Sequence, residues 1–217
     1  MAGNSKSRIW FPHGRCIWHN ITEEPYMANG DDLRNRILDS TIVVFNRKGI
    51  RLTMADIATE MSISKKTIYK EFESKDGLFD AMVDYIFGSI KEKEQEIAND
   101  KSLGTVEKLK RLLGAMPEKY NGINYQDLAP LKEKHPKVYK KIVRKLETGW
   151  GTTIELIEKG KAEGVIRKDA DVGILKIMLE SSIEKLISGS TLKKNKIRYV
   201  DALNTIVDVL VDGIAVR

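Results

Sequence analysis

Lys65, Lys66 and Lys70 fall within barely two helical turns of one another, together with Thr67 and Tyr69. Cations this close repel one another by roughly 0.2–0.5 kcal/mol per pair when only water faces them. A phosphate backbone reverses that balance, because each neutralised phosphate releases condensed counterions. Lysine also donates to guanine O6 and N7 in the major groove, and a threonine methyl can touch a thymine methyl. The chemistry such a cluster could do is the reading of a nucleic-acid duplex. The alternative is an ordinary solvated helix face. What separates the two is whether the surrounding elements hold the lysines outward.

Those elements carry a helical period. Ile37, Leu38, Thr41, Val44 and Phe45 repeat at i, i+1, i+4, i+7 and i+8, one face of a helix that begins near Asp31 and that Gly49 stops. Met54, Ile57, Ala58 and Met61 mark a second, short helix, with Thr53 placed to cap it and Asp56 following in a variant of the capping box. After Ser62 and Ile63, Ser64 opens a third helix that carries Ile68 and Phe72 inward. Residues 53–72 therefore predict two short helices separated by a tight turn, the helix-turn-helix arrangement. Ala58 is small enough for the two helices to cross closely, Ile63 plugs the turn, and Ile68 anchors the second helix. Ser64, Lys65, Lys66, Thr67, Tyr69 and Lys70 form the outward, duplex-facing set. Ser74 caps a fourth, long helix holding Leu78, Phe79, Met82, Tyr85 and Ile86.

The remainder is also helical by period, with breaks at Gly104, Pro117, Gly122 and Pro136. One long helix is expected from Pro136 to about Glu163, ended by Gly164, another from Asp171 to Ser188, and a last from Asn195 to Ile214. A single short reading helix covers only about four or five base pairs, and a second copy on a two-fold axis doubles the site. The surplus apolar residues Leu175, Leu179, Leu186, Leu203, Val207 and Leu210 would build a four-helix interface for such a homodimer. The alternative is that they fill the protomer's own core.

At this point the sequence resembles a known family. Residues 32–86 are similar to the DNA-binding domain of tetracycline-repressor (TetR) regulators, through Phe45 and Gly49, Thr53, Ile57 with Ala58, Ile63 with Ser64, Thr67 with Ile68 and Tyr69, Phe72, and Lys75. A weaker match is EGVIRKDADV, residues 163–172, which resembles the family's link between its seventh and eighth helices. The resemblance implies that Thr53, Tyr69 and Lys75 touch phosphates while Lys65, Lys66, Thr67 and Lys70 read bases. It also implies a small-molecule effector in a cavity within residues 78–190, for which Met82, Tyr85, Met116, Tyr120, Tyr125, Trp150 and Met178 are the candidate lining groups. Three positions depart from the pattern. Ser62 stands where glycine is usual, at a turn that wants positive φ, Lys66 replaces a small residue, and Thr41 replaces an alanine.

The expected fold is all-α. An N-terminal extension, residues 1–28, precedes a three-helix helix-turn-helix DNA-binding domain, residues 29–76. A long helix joins that domain to a C-terminal helical ligand-binding and dimerisation domain, residues 77–217. The extension shows no period and is expected to be poorly ordered, and Met27 offers a second start. His13, Cys16 and His19 are too few for a metal site, and no cofactor is expected. His135 precedes a proline at a helix start, where exposure is the default, and no serine–histidine–acid set or glycine-rich phosphate loop suggests an enzyme. A net charge of +6 suits a polyanionic partner, and the lone cysteine fits a reducing cytoplasm. No run is apolar enough for a membrane span.

Overall fold

A computed structural model describes residues 30–120, 123, 128–188 and 191–216. The N-terminal extension with His13, Cys16 and His19, and Tyr125 of the expected cavity set, lie outside the described residues. Among the described residues the elements are helices, in the order α1 Gly30–Lys48, α2 Met54–Glu60, α3 Lys65–Glu71, α4 Lys75–Asn99, α5 Thr105–Leu113, α6 Leu131–Lys134, α7 Pro136–Thr148, α8 Gly151–Ala162, α9 Val172–Ser188, α10 Thr191–Asn195 and α11 Tyr199–Ile214. The backbone pairing outside helices is an isolated antiparallel bridge between Ile166 and Ala215, which ties the α8–α9 link to the end of α11. No helix among the described residues is long and apolar enough to cross a membrane.

Two packed cores organise these helices. One runs from Ile37 and Phe45 of α1 through Ile57 of α2 and Ile68 of α3 to Phe79 and Met82 of α4, and continues into α7 and the end of α9. The second joins the far end of α4 to α5, α8, α9 and α11 around Leu109, Ile157, Leu179, Leu203 and Val207. Helix α4 belongs to both, so it is the beam between an N-terminal helix-turn-helix domain and a C-terminal helical domain. Phe45 and Phe79 meet edge to face at 6.2 Å where α1 crosses it.

The structure corrects two helix boundaries. The stretch expected as one helix from Pro136 to Glu163 is broken at Gly149 and Trp150 into α7 and α8. The carbonyls freed by the break are taken by side chains from α4, α9 and the break itself: Gly149 O by Lys91 Nζ at 2.6 Å, Glu147 O by Lys176 Nζ at 2.8 Å, and Leu146 O by Trp150 Nε1 at 3.0 Å. The last helix starts at Tyr199, because the chain turns at Lys196, whose φ is 55°. Gly164 ends α8 at φ 75°, with Val165 N–H donating to Gly160 O at 3.0 Å.

Candidate nucleic-acid interface

The turn between α2 and α3 sets how the lysines are presented. Thr53 Oγ1 accepts from Asp56 N–H at 3.2 Å and Asp56 Oδ2 accepts from Thr53 N–H at 2.8 Å, the complete reciprocal cap expected. A hydrogen bond from Lys48 at 2.6 Å, with those to Thr53, holds the Asp56 carboxyl below its usual range. At the other end of α2, Ser62 N–H donates to Thr59 O at 3.2 Å and Ile63 N–H to Ala58 O at 3.0 Å. That pairing is a Schellman cap, and it places Ser62 at φ 55°, the left-handed conformation the sequence implied. Ser64 Oγ then accepts from Thr67 N–H at 3.1 Å and lies 2.9 Å from Thr67 Oγ1, which starts α3.

Helix α3 is anchored from beneath and at its far end. Ile68 is 0 % exposed and Phe72 is buried. Arg34 Nη1 donates to Glu71 O at 2.8 Å while its guanidinium lies 4.2 Å above the Phe72 ring, so a cation from α1 closes the C-terminal end of α3. With the inner row fixed, Lys65, Lys66, Tyr69 and Lys70 are exposed and Thr67 is half-buried. Among the described residues none of these lysines has a carboxylate partner. Lys65 lies 5.6 Å from the Tyr69 ring, close enough to steady it. Arg47 and Lys48 behind them are instead paired with Glu60 and Asp56. Lys65, Lys66 and Lys70 thus give α3 an exposed face of positive charge that no carboxylate among the described residues offsets.

Lys75 departs from the expectation of a free phosphate contact. Its ammonium turns inward to Ile50 O at 2.6 Å and sits 5.3 Å from the Phe79 ring, and burial lowers its pKa from the usual lysine value. It braces the start of α4 against the short turn that follows α1. Thr41, the other departure, is buried and bonds back to Ile37 O at 2.7 Å.

Behind the interface lies a cavity of about 170 Å³ between α1, α4, α5, α7, α8, α9 and α11. Met82, Met116 and Trp150 of the expected set line it. Tyr85 does not: its hydroxyl is 3.0 Å from Asp39 and 3.2 Å from Lys119. Tyr120 is buried beside the cavity with its hydroxyl on Ser89 at 3.1 Å. Met178 is 49 % exposed on the outer face of α9 and so lines nothing internal. Polar groups that composition did not single out reach the wall, namely Lys91, Glu94, Lys145, Thr153 and Tyr199. Burial raises the pKa of Glu94 and of the Tyr199 hydroxyl.

The expected dimer residues also fall differently. Leu175, Leu179, Leu203 and Val207 are buried in the second core, and Leu186 and Leu210 are half-buried. Four of the six therefore have no surface left for a second chain. The exposed apolar groups on these helices are Ile174, Ile177 and Met178 of α9 and Val209 of α11. Helical spacing at 174, 177 and 178 was the signal that could have found them.

His135 is not solvent-facing either. Its Nδ1 lies 2.6 Å from Asp76 Oδ1, and its ring stands edge-on to Phe79 at 5.0 Å. Beyond it, Lys141 bonds Asp80 Oδ2 at 2.6 Å and Asp84 Oδ2 at 2.5 Å, and Lys145 lies 3.0 Å from Asp84 Oδ1. Burial works against ionisation of Asp84, but these hydrogen bonds prevail and keep its carboxyl below the usual range. A carboxylate on each successive turn of α4 is thus clipped to α7 and its cap.

Comparison with known proteins agrees with this geometry. Residues 37–82 match the model of bacterial regulatory proteins of the tetR family. The chain is 29 % identical over 179 residues, 82 % of this chain and 94 % of the other, to YvaF of Bacillus subtilis (strain 168), described as an uncharacterized HTH-type transcriptional regulator. Its fold is similar to a TetR-family transcriptional regulator from Cytophaga hutchinsonii at a TM-score of 0.65 and 23 % identity, covering 87 % of this chain and 97 % of that one. It is also similar to the transcriptional regulator FadR from Bacillus subtilis in complex with stearoyl-CoA, at a TM-score of 0.61 and 20 % identity, covering 83 % and 98 %. Residues 37–82 thus match the tetR family of bacterial regulatory proteins, and the chain as a whole, with a helix-turn-helix domain at its N-terminus and a helical domain behind it, has the fold of solved TetR-family regulators.

Proposed function

We propose that the protein is a homodimeric repressor that binds a palindromic duplex site through Ser64, Lys65, Lys66, Thr67, Tyr69 and Lys70 of each protomer, with Thr53 and the first turn of α4 on phosphates, and that a small apolar effector releases it. The observation that carries this reading is the unpaired cationic face of α3, held outward by a fully buried Ile68. Dimerisation uses Ile174, Ile177, Met178 and Val209, exposed on the packed helices α9 and α11. The division of labour follows the helices, with residues up to Asp76 reading DNA and those beyond sensing and pairing.

The effector reading rests on the cavity, whose wall includes Ile42 and Phe45 of α1 as well as helices of the C-terminal domain. A molecule lodged there touches both domains and shifts the spacing of the two α3 helices if it binds one arrangement better than the other. The FadR neighbour was crystallised with stearoyl-CoA, which supports an apolar effector here. A cavity of about 170 Å³ is too small for an eighteen-carbon chain without separation of its walls.

Selection of bound oligonucleotides from a random pool tests the DNA reading, and an inverted repeat is the expected product. On that repeat, the double substitution Lys66→Ala and Lys70→Ala removes four lysines per dimer and lowers the slope of log affinity against log salt by about 3 to 4. An unchanged slope and an unchanged recovered sequence would show that α3 is not the reading helix.

A further inference from the structure

The cavity is lined almost wholly by hydrocarbon, yet charged groups from α4 and α7 reach it. Lys91 is ion-paired with Glu94, and its ammonium also donates to Gly149 O at 2.6 Å. Lys145 is matched by Asp84 at 3.0 Å. Every charge that faces a ligand is therefore already balanced by a partner within the protein. Polar capacity remains even so. An ammonium has three donors and Lys91 spends two, while Glu94 bonds through Oε2 and keeps Oε1. Thr153 is buried at the same wall, and its hydroxyl makes no hydrogen bond among the described residues.

We infer that this cavity selects ligands with a compact apolar body and one uncharged polar head, such as an alcohol, amide or ester, and discriminates against free carboxylates and amines. The inference rests on the cavity being the effector site. A neutral carbonyl accepts the third Lys91 N–H, and a neutral hydroxyl or amide donates to Glu94 Oε1 or exchanges hydrogen bonds with Thr153. A carboxylate would have to share Lys91 with Glu94, two anions on one cation. An alkylammonium would compete with Lys91 for Glu94. Either leaves a net charge beside Glu94, whose side chain is 12 % exposed, where an unmatched ion costs more than in water, although solvent at the 44 % exposed Lys91 offsets part of that cost. The volume limits the body: a dry cavity of about 150 Å³ accepts benzene, so about 170 Å³ suits a body of about one six-membered ring with a small head.

The test compares four ligands that share one compact ring, benzyl alcohol, benzamide, benzoate and benzylamine, by calorimetric titration of the full-length protein at pH 7. The two neutral ligands are expected to bind at least about tenfold tighter than the two ions, a difference of about 1.4 kcal/mol. Glu94→Gln leaves Lys91 unmatched and is expected to favour benzoate, whereas Lys91→Met leaves Glu94 unmatched and favours benzylamine. Circular dichroism checks that both variants fold, and the wild-type ranking stands without them. Benzoate or benzylamine binding wild type as tightly as benzyl alcohol overturns the inference while leaving the effector site intact, as does a ranking that neither variant alters. Binding by none of the four, to wild type or to either variant, removes the effector reading and this inference with it.

Discussion

Ser62 shows how a single residue can be out of step with its conformation and still be kept there. The Schellman cap on α2 requires a left-handed residue at this position, and at φ 55° a serine side chain is crowded in a way glycine is not. Ser62→Gly should therefore stabilise the protein by about 1 kcal/mol, raising the thermal midpoint by about 2–4 °C. Thermal unfolding of the two proteins side by side checks it, and a lower midpoint for the glycine variant would mean that the serine hydroxyl contributes more than the strain costs. Glu94 makes a second prediction. Burial raises its pKa in the folded protein above the ordinary value of 4.5, so the native state binds the proton more tightly than the unfolded chain does. Stability attributable to Glu94 thus rises as pH falls from 7 toward 4.5. Asp84 has the opposite sign: its folded pKa is depressed, so its contribution is present above 3.8 and is lost as pH falls further. Urea midpoints of wild type and Glu94→Gln across pH 7 to 4.5 should converge as pH falls, with the glutamine variant flatter. Parallel curves would contradict the assignment.

Elements were read from the sequence where local chemistry decides them. Thr53, Ser64 and Ser74 each cap the helix they were expected to cap, because a hydroxyl before an apolar period bonds to backbone only a few residues away. The break between α7 and α8 was not legible, since the groups that satisfy it, Lys91 and Lys176, come from α4 and α9. The clip between α4 and α7 is half legible. Asp76, Asp80 and Asp84 repeat every four residues and so share a face, but nothing local says that His135, Lys141 and Lys145 will meet them. Lys141 is the centre of this clip, nearly buried and bonded to two carboxylates and to Asp80 O. Replacing it with methionine keeps the aliphatic stem and should cost about 1–2 kcal/mol, discounted because both aspartates are half exposed. The same loss should make stability less sensitive to salt. A methionine variant as stable as wild type at low ionic strength would show that α7 is held by its apolar face alone.

At the scale of the whole molecule, the question is which surface leaves room for a second copy. An apolar residue on α9 or α11 serves either the protomer's core or an interface, and periodicity alone does not tell which because both helices carry apolar groups on more than one face. Burial decides it. Leu203 and Val207 are closed off in the second core, where α11 packs against α5, whereas Ile177 and Val209 are 59 % and 69 % exposed. Isolated exposed aliphatics need no explanation, but Ile174, Ile177 and Met178 lie one turn apart on one helix that packs against the helix bearing Val209. The combined substitution Ile177→Asp and Val209→Asp should accordingly give a folded monomer, with helical content unchanged by circular dichroism and half the mass by sedimentation. Its affinity for an inverted repeat should fall by about 10²–10⁴, because two half-sites joined by one dimer become two independent binding events. Leu203→Asp should behave otherwise, placing a carboxylate inside the second core and unfolding the C-terminal helices together with the dimer. If the exposed pair can carry aspartate while the protein remains a dimer, the two-fold axis runs elsewhere. The spacing of the two α3 helices, and with it the half-site spacing on DNA, would then have to be derived from a different face.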